Sequence, residues 1–243
     1  MKQPLIITDF TRMKGGHVCI SGYDPQGNCV RPSEPRIHED LVKRDGKFCV
    51  YPSAVVEFDL LEPRPRPPHT EDRVFDLFHI QFLRQAGPRE WGEALRHSLA
   101  PNVAAIFEQP IQNEKGFFVA DGAGPRSVGT VQPSGIVRFS YGPGLEDGAW
   151  DYRLKFYDGA RQFYSLKITD LTWHRYCDAL RGPDQQPAQI AEQLTHLLKQ
   201  RKVLLRIGLA RGWAEHRGRC YLQINGVYTS PDYLAGKTVS DIA

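Results

Sequence analysis

Short stretches of alternating hydrophobic and polar residues, separated by glycine- and proline-rich turns, run along most of this chain. Alternation with a period of two is typical of half-buried β-strands. The pattern predicts strands at residues 4–8, 17–23, 28–31, 55–61, 74–83, 116–120, 127–131, 136–141, 150–157, 162–168, 203–209 and 220–228. Short strands at regular spacing are typical of a small barrel or a sandwich.

Turn residues support this interpretation. Asp24-Pro25-Gln26-Gly27 and Asp158-Gly159 each stand between two alternating runs, which predicts β-hairpins. The proline-rich residues 62–68 cannot form a helix or a central strand, because proline removes a backbone donor and fixes φ. The alternating prolines of this segment predict a stiff, extended connector.

A few segments carry helical rather than alternating periodicity. They are residues 89–98 after Pro88, residues 103–107, residues 173–180 with Asp170 or Thr172 as N-cap, and residues 188–202 after Pro187. We therefore predict a mainly β protein with a few short helices.

Composition and charge narrow the class of protein. Hydrophobic residues make up 41% and charged residues 24% of the 243-residue chain, which is ordinary for a globular protein. The five cysteines are scattered, and the N-terminal MKQPLIITDF has no long apolar run. We expect a cytoplasmic protein with reduced thiols, without a disulfide framework or a membrane segment.

Basic residues are concentrated near the C-terminus. The net charge is only +3, yet residues 199–219 contain seven basic residues and a single acid, Glu215. Such a stripe fits a phosphate backbone, and it equally fits a solvated helix end followed by a charged hairpin tip.

Several short pieces occur in an order that resembles the prokaryotic dual OB-containing domain family. They are Thr11-Arg12, residues 16–22 (GHVCISG), Arg31-Pro32-Ser33, residues 69–72 (HTED), 127–131 (SVGTV), 206–211 (RIGLAR) and 223–229 (QINGVYT). The resemblance implies two OB-like barrels packed in one chain and a nucleic-acid role around bacterial defence or DNA processing. It supplies no established reaction. We expect a first barrel at 1–86, a helical and loop connector at 87–126, and a second barrel at 127–243 with inserted helices at 170–202.

The densest group of ionisable residues is His69, Glu71 and Asp72. One hypothesis makes them metal ligands or acid–base groups of a metal-dependent nuclease. Nothing nearby completes a recognisable ligand spacing. We favour a structural role, in which the carboxylates pair with Arg64, Arg66 or Arg73.

The residues predicted to bind nucleic acid mix cations with aromatic rings, because OB barrels stack bases on aromatic side chains in a positively charged groove. On the C-terminal hairpin they are Arg206, Arg211, Trp213, Arg217, Arg219 and Tyr221, and near the N-terminus Arg12, Lys14 and Arg31. The opposing interpretation makes the aromatic residues core or rim and the arginines ordinary surface.

No phosphate-binding loop of the form GxxxxGK[ST] occurs, and we predict neither a cofactor nor a bound metal. The function predicted from the sequence is therefore a non-catalytic nucleic-acid-binding accessory protein, for single strands or junctions. One alternative is an adaptor that binds a partner protein through OB-like faces. The other is the nuclease centred on His69, Glu71 and Asp72.

Overall fold

A computed structural model describes residues 1–144, 150–181, 186–212 and 218–242. The first part of the chain forms β-strands joined by short 3-10 turns. The strands are β1 (Lys2–Arg12), β2 (His17–Tyr23), β3 (Cys29–Glu34), β4 (Ile37–His38), β5 (Lys43–Arg44), β6 (Lys47–Phe48), β7 (Ala54–Pro63) and β8 (Asp72–Gln85).

Five of these strands close into a barrel. Strand β1 pairs antiparallel with both β2 and β7, β7 pairs with β8, and β3 joins β2 to β8, with β3 and β8 parallel. This cyclic order is the connectivity of an OB fold. Closure leaves no exposed sheet edge between these strands.

The interior of the first barrel follows from the alternation along its strands. Leu5, Ile7, Ile20, Val56 and Phe58 are fully buried and belong to one apolar cluster. Where β2 crosses β1, a Cβ on Gly22 would lie 2.4 Å from the Ile6 carbonyl oxygen. Only glycine fits there without a shift of the backbone.

Short helices and strands connect the two barrels. They are α1 (Pro88–Arg96), β9 (Leu99–Ala100), α2 (Val103–Phe107), β10 (Gln112–Asn113) and β11 (Phe117–Ala120). Strand β9 pairs with β12 (Val128–Val131), and β11 pairs with β17 (Arg219–Ser230). The connector predicted at 87–126 therefore adds strands to the second sheet.

The second part repeats the same connectivity. The remaining elements are β13 (Gly135–Pro143), β14 (Trp150–Tyr157), β15 (Phe163–Lys167), α3 (Leu171–Leu180), α4 (Pro187–Gln200) and β16 (Lys202–Leu209). Strands β12 and β13 together act as the first OB strand: β12 pairs with β16, and β13 with β14. A parallel bridge between Ile168 and Ile224 joins the end of the β13–β14–β15 meander to β17 and completes the ring.

The helices lie between the third and fourth strands of the second barrel. Asp170 caps α3 by accepting hydrogen bonds from the backbone amides of Thr172 and Trp173, which selects one of the two predicted caps. In α4 the buried residues Ile190, Leu194 and Leu198 form the stripe that the sequence pattern predicts. The prediction of a mainly β chain with two OB-like barrels is confirmed.

The C-terminal segment returns to the first barrel. Val239, 1% exposed, belongs to the apolar cluster of that barrel, and Ser240 Oγ accepts a hydrogen bond from the Phe48 amide at 2.7 Å. The sequence pattern predicts only a surface coil or a short last helix for this tail. The structure places a 3-10 turn there, Val239–Asp241.

Candidate nucleic-acid interface

OB barrels use a defined surface for ligands: the outer face of strands two and three, flanked by the loop between strands one and two and the loop between strands four and five. In the first barrel these strands are β2 and β3. Their outward side chains Ser21, Tyr23 and Arg31 are 3%, 3% and 6% exposed. The ligand face of the first barrel is therefore buried at its centre, whereas His17, Cys19, Cys29 and Ser33 on the same face are partly exposed.

Of the two flanking loops, the one between β7 and β8 is covered, whereas residues 13–16 between β1 and β2 are exposed. The turn between β2 and β3 is covered too. Gly27 packs so closely on His97 that a Cβ would come within 2.9 Å of the imidazole ring. In the loop between β7 and β8, Thr70 Oγ1 donates to the Pro125 carbonyl at 2.6 Å, and the Gly122 amide donates to the Pro67 carbonyl at 3.0 Å. The connector therefore covers the turn between β2 and β3 and the loop between β7 and β8.

Arg206 links the two barrels, and its position corrects one prediction made from the sequence. It lies on β16 of the second barrel and is 0% exposed. Its guanidinium donates to both Asp9 carboxylate oxygens at 2.8 to 3.2 Å, to the Tyr23 hydroxyl at 3.0 Å and to the Thr130 hydroxyl at 3.1 Å. Predicted as a nucleic-acid contact, Arg206 is instead enclosed between the barrels.

The His69–Asp72 cluster is a second internal network, and Arg31 is its centre. Arg31 Nε donates to Asp72 Oδ1 at 2.6 Å, and its Nη2 lies 3.0 Å from His69 Nδ1 and 3.4 Å from Glu71 Oε2. Glu71 also accepts from the Ser127 amide at 2.7 Å and from the Ser127 hydroxyl at 3.0 Å. Arg31 is therefore wrong as an exposed contact, because its charge is satisfied inside the protein.

This geometry suits a structural role for the cluster. The carboxylates pair with Arg31 and Arg211, not with the predicted Arg64, Arg66 or Arg73. Burial, with help from the charges of Arg31 and Arg211, lowers the pKa of His69 to about 3. Its neutral ring faces Cys220, whose thiol pKa burial raises to about 11. No group of metal-ligating side chains capable of holding an ion occurs within the described residues.

Two arginines of the C-terminal hairpin are engaged by acids. Arg211 pairs with Asp72 of the first barrel, although its side chain remains 49% exposed. Arg219 donates to Glu114 Oε2 at 2.7 Å and lies 4.7 Å from the centroid of the Phe118 ring, next to Tyr221. Trp213 and Arg217 lie outside the described residues. Arg12 and Lys14 are exposed on the first barrel and stay predictions.

The second barrel presents its ligand face to solvent. Strands β14 and β15 correspond to OB strands two and three, and their outward side chains with those of β13 form what we call the cationic face: Arg138, Ser140, Asp151, Arg153, Lys155, Tyr157, Phe163, Ser165 and Lys167. Cross-strand pairing sets Arg138 beside Lys155, and Arg153 beside Lys167. Asp151 pairs with Arg153 at 3.6 Å, whereas Arg138, Lys155 and Lys167 have no ion-pair partner among the described residues.

Aromatic rings lie at one end of the cationic face. Tyr157 and Phe163 oppose each other across β14 and β15, with ring centroids 5.6 Å apart, and are 43% and 38% exposed. A cleft of about 360 Å³ opens beside Tyr157, lined also by Ser134, Gly135 and Arg161. Cations and rings thus share one surface of the second barrel.

The sequence contained a signal for this face. Along β14 the buried Tyr152, Leu154 and Phe156 alternate with Arg153 and Lys155. Alternation of this kind predicts exposed cations on one side of a strand. Counting basic residues in a continuous segment favours the hairpin instead, because the cations of the face come from three separate strands.

Two rings of five strands, with the parallel pairing between the third and fifth strand in each, define a protein of tandem OB folds. The match to the family model described as dual OB-containing domain extends over residues 5–227. The chain belongs to this family, as the resemblance implied. Among curated proteins, none matches the sequence.

No helix among the described residues is long and apolar enough to cross a membrane.

Proposed function

We propose that this protein is a non-catalytic, cytoplasmic nucleic-acid-binding protein that grips its ligand through the cationic face of the second barrel. The observation that carries the proposal is the placement of Arg138, Lys155 and Lys167 on the ligand strands of an OB barrel, without internal ion-pair partners among the described residues. An accessory role in a defence or DNA-processing system is part of the proposal.

The chemistry of the face favours a polyanion. Cations that are not neutralised internally displace counterions from phosphates, and this displacement supplies most of the sequence-independent affinity for nucleic acid. The paired Arg153 also stays near the surface, with its side chain 39% exposed. Tyr157 and Phe163 add rings on which bases can stack.

The experiment compares two triple variants of the full chain. Arg138→Ala, Lys155→Ala and Lys167→Ala together remove the unpaired cations of the face. Binding of a fluorescent oligonucleotide, as DNA and as RNA, is followed by anisotropy over a range of salt concentrations. We expect log K to fall with log salt for the wild type, and the slope to shrink by about 0.7 for every phosphate of a single strand that the variant no longer neutralises.

The matched control removes one arginine and two lysines from the first barrel: Arg36, Lys2 and Lys47, all exposed. It makes the same change in net charge at a different surface. Equal loss of affinity in both variants would show that binding depends on overall charge, and absence of binding by the wild type would refute the proposal.

The competing functions have less support from the geometry. A nuclease at His69, Glu71 and Asp72 would need these groups open to substrate, but they are 4%, 5% and 2% exposed. An adaptor role is favoured by one observation: Phe78, on an irregular part of β8, is 92% exposed. If the adaptor hypothesis holds, Phe78→Ser should abolish binding to a partner protein. If our proposal holds, the same substitution should leave the affinity for oligonucleotides unchanged.

A further inference from the structure

The cleft beside Tyr157 lies where the cationic face ends. Its walls come from Ser134 and Gly135 at the start of β13 and from the turn between β14 and β15, with Arg161. A Cβ placed on Gly135 would meet nothing within 4 Å, so the cleft is open above this residue. Its volume, about 360 Å³, lies at the lower end of the range for small-ligand pockets.

The turn that carries Arg161 is fixed by buried contacts. Asp158, 1% exposed, accepts hydrogen bonds from the amides of Ala160 and Gln162 through Oδ1, and from the Val103 amide through Oδ2, all at 3.0 Å. Gly159 lies so close to Pro101 that a Cβ would come within 2.0 Å of its carbonyl oxygen. The connector therefore packs against this turn and fixes its conformation.

Arg161 itself occupies the left-handed region, with φ of 58°. A non-glycine residue there costs free energy and persists only where the surrounding structure enforces it. The guanidinium has no carboxylate partner among the described residues, and it borders the cleft together with the half-exposed ring of Tyr157. A cation on a fixed turn beside an accessible ring matches the two parts of a nucleotide: phosphate and base.

We propose that this cleft is a nucleotide subsite of the cationic face, with a base stacked on Tyr157 and its phosphate bound by Arg161. The inference rests on the proposed function and names its substrate class as single-stranded nucleic acid. A base within a duplex is stacked on both sides and cannot offer its face to Tyr157 without first being unstacked. The subsite therefore favours single strands over duplexes.

The test uses an oligonucleotide of about 12 nucleotides, within the site sizes of single OB folds, that carries 2-aminopurine at successive positions. Stacking on an aromatic ring quenches the fluorescence of this base. Tyr157→Leu removes the ring and Tyr157→Phe retains it. Arg161→Asn removes the cation with a residue that tolerates positive φ. Phe78→Leu, at an exposed ring of the first barrel, is the matched control, and circular dichroism confirms that each variant is folded.

We expect quenching at one region of the strand, preserved in Tyr157→Phe and Phe78→Leu and lost in Tyr157→Leu. Affinity for the single strand should fall by about 5- to 150-fold in Tyr157→Leu, the range for one stacked base. Arg161→Asn should lower the salt slope by about 0.7. The wild type should bind the duplex of the same sequence more weakly than the single strand. The affinity for the duplex should be the same for Tyr157→Leu and the wild type.

Failure of this inference differs from failure of the proposed function. If the wild type binds oligonucleotides and the cationic-face variant does not, but Tyr157→Leu keeps both quenching and affinity, the subsite is wrong and the interface stands. Equal loss for single strand and duplex in Tyr157→Leu would also overturn the subsite. If the wild type binds no oligonucleotide at low salt, both proposals fall.

Discussion

Arg206 and Asp9 are 197 residues apart in the sequence and form a buried, bidentate ion pair between the two barrels. The Asp9 carboxylate also accepts hydrogen bonds from the hydroxyls of Thr8 at 2.8 Å and Ser21 at 2.7 Å. Both charges are withdrawn from water and satisfied by one another and by neighbouring hydroxyl groups. Such a buried pair adds little stability relative to a well-packed apolar pair, but loss of one partner leaves an uncompensated charge.

Removing one partner should be costly. Arg206→Met leaves the Asp9 carboxylate buried without its counter-charge, and we expect the free energy of unfolding to fall by about 3–5 kcal/mol. Urea denaturation measures the loss. Adding Asp9→Leu to Arg206→Met should recover part of it, since no unpaired charge then remains. Arg84→Met breaks an exposed pair with Glu90 and serves as control; a loss in Arg206→Met no larger than in this control would contradict the prediction.

Single substitutions should separate the cationic face from the C-terminal hairpin. Lys155→Ala removes a cation without an internal partner among the described residues, so the slope of log K against log salt should fall by about 0.7. Arg219→Ala removes a cation already paired with Glu114, and we expect little change. Fluorescence anisotropy at several salt concentrations measures both slopes. A larger change in slope for Arg219→Ala than for Lys155→Ala would show that the binding site is on the hairpin.

The stability of the protein should depend on pH through buried histidine. Burial lowers the pKa of His174 to about 4, even though the Ile168 carbonyl, 2.8 Å from Nε2, favours the protonated ring. Below about pH 6.5 the unfolded chain binds a proton at this position and the folded protein does not. The contribution of His174 to stability is therefore fully present above about pH 6.5 and should fall by about 1.4 kcal/mol per pH unit down to about pH 4.

Urea midpoints between about pH 7 and about pH 4 test this dependence. In His174→Gln, which retains a donor for the Ile168 carbonyl, the slope should be smaller by about one proton. A variant with the same slope as the wild type would exclude His174 as the source.

The C-terminal turn should be part of the first barrel in energy as well as in position. Val239→Ala removes two methyl groups from a site that is 1% exposed in the apolar cluster of that barrel. We expect a loss of about 1–3 kcal/mol in the free energy of unfolding. Lys237→Ala, two residues earlier and exposed, should have little effect. Similar values for the two variants would show that the turn contributes nothing to the fold.

Local periodicity was sufficient to locate most elements. Helix α2 and strand β14 have the bounds that the pattern predicts, and Asp170 is one of the two caps proposed for α3. These features depend on neighbouring residues, and hence on information that a short segment contains.

The site depends on contacts that no short segment contains. Arg206 stands alone among apolar residues in Val203–Leu209, which suggests a buried charge, but its partner Asp9 belongs to the other barrel. Likewise, the partners of Asp72 are Arg31 and Arg211, not the nearby Arg73. Basic residues that look alike in the sequence thus divide into buried links between barrels and exposed cations, and only the tertiary fold separates them.

The covered ligand strands of the first barrel have a consequence for stoichiometry. A protein with two accessible ligand faces would bind one long oligonucleotide across both barrels. The bound stretch would then be twice as long as that of a single OB fold. Here the central outward side chains of β2 and β3, Ser21, Tyr23 and Arg31, are buried, so each molecule should protect a stretch that suits one OB fold, about 4–16 nucleotides. A longer strand should accordingly recruit further copies of the protein, spaced at that interval, instead of wrapping around a single one.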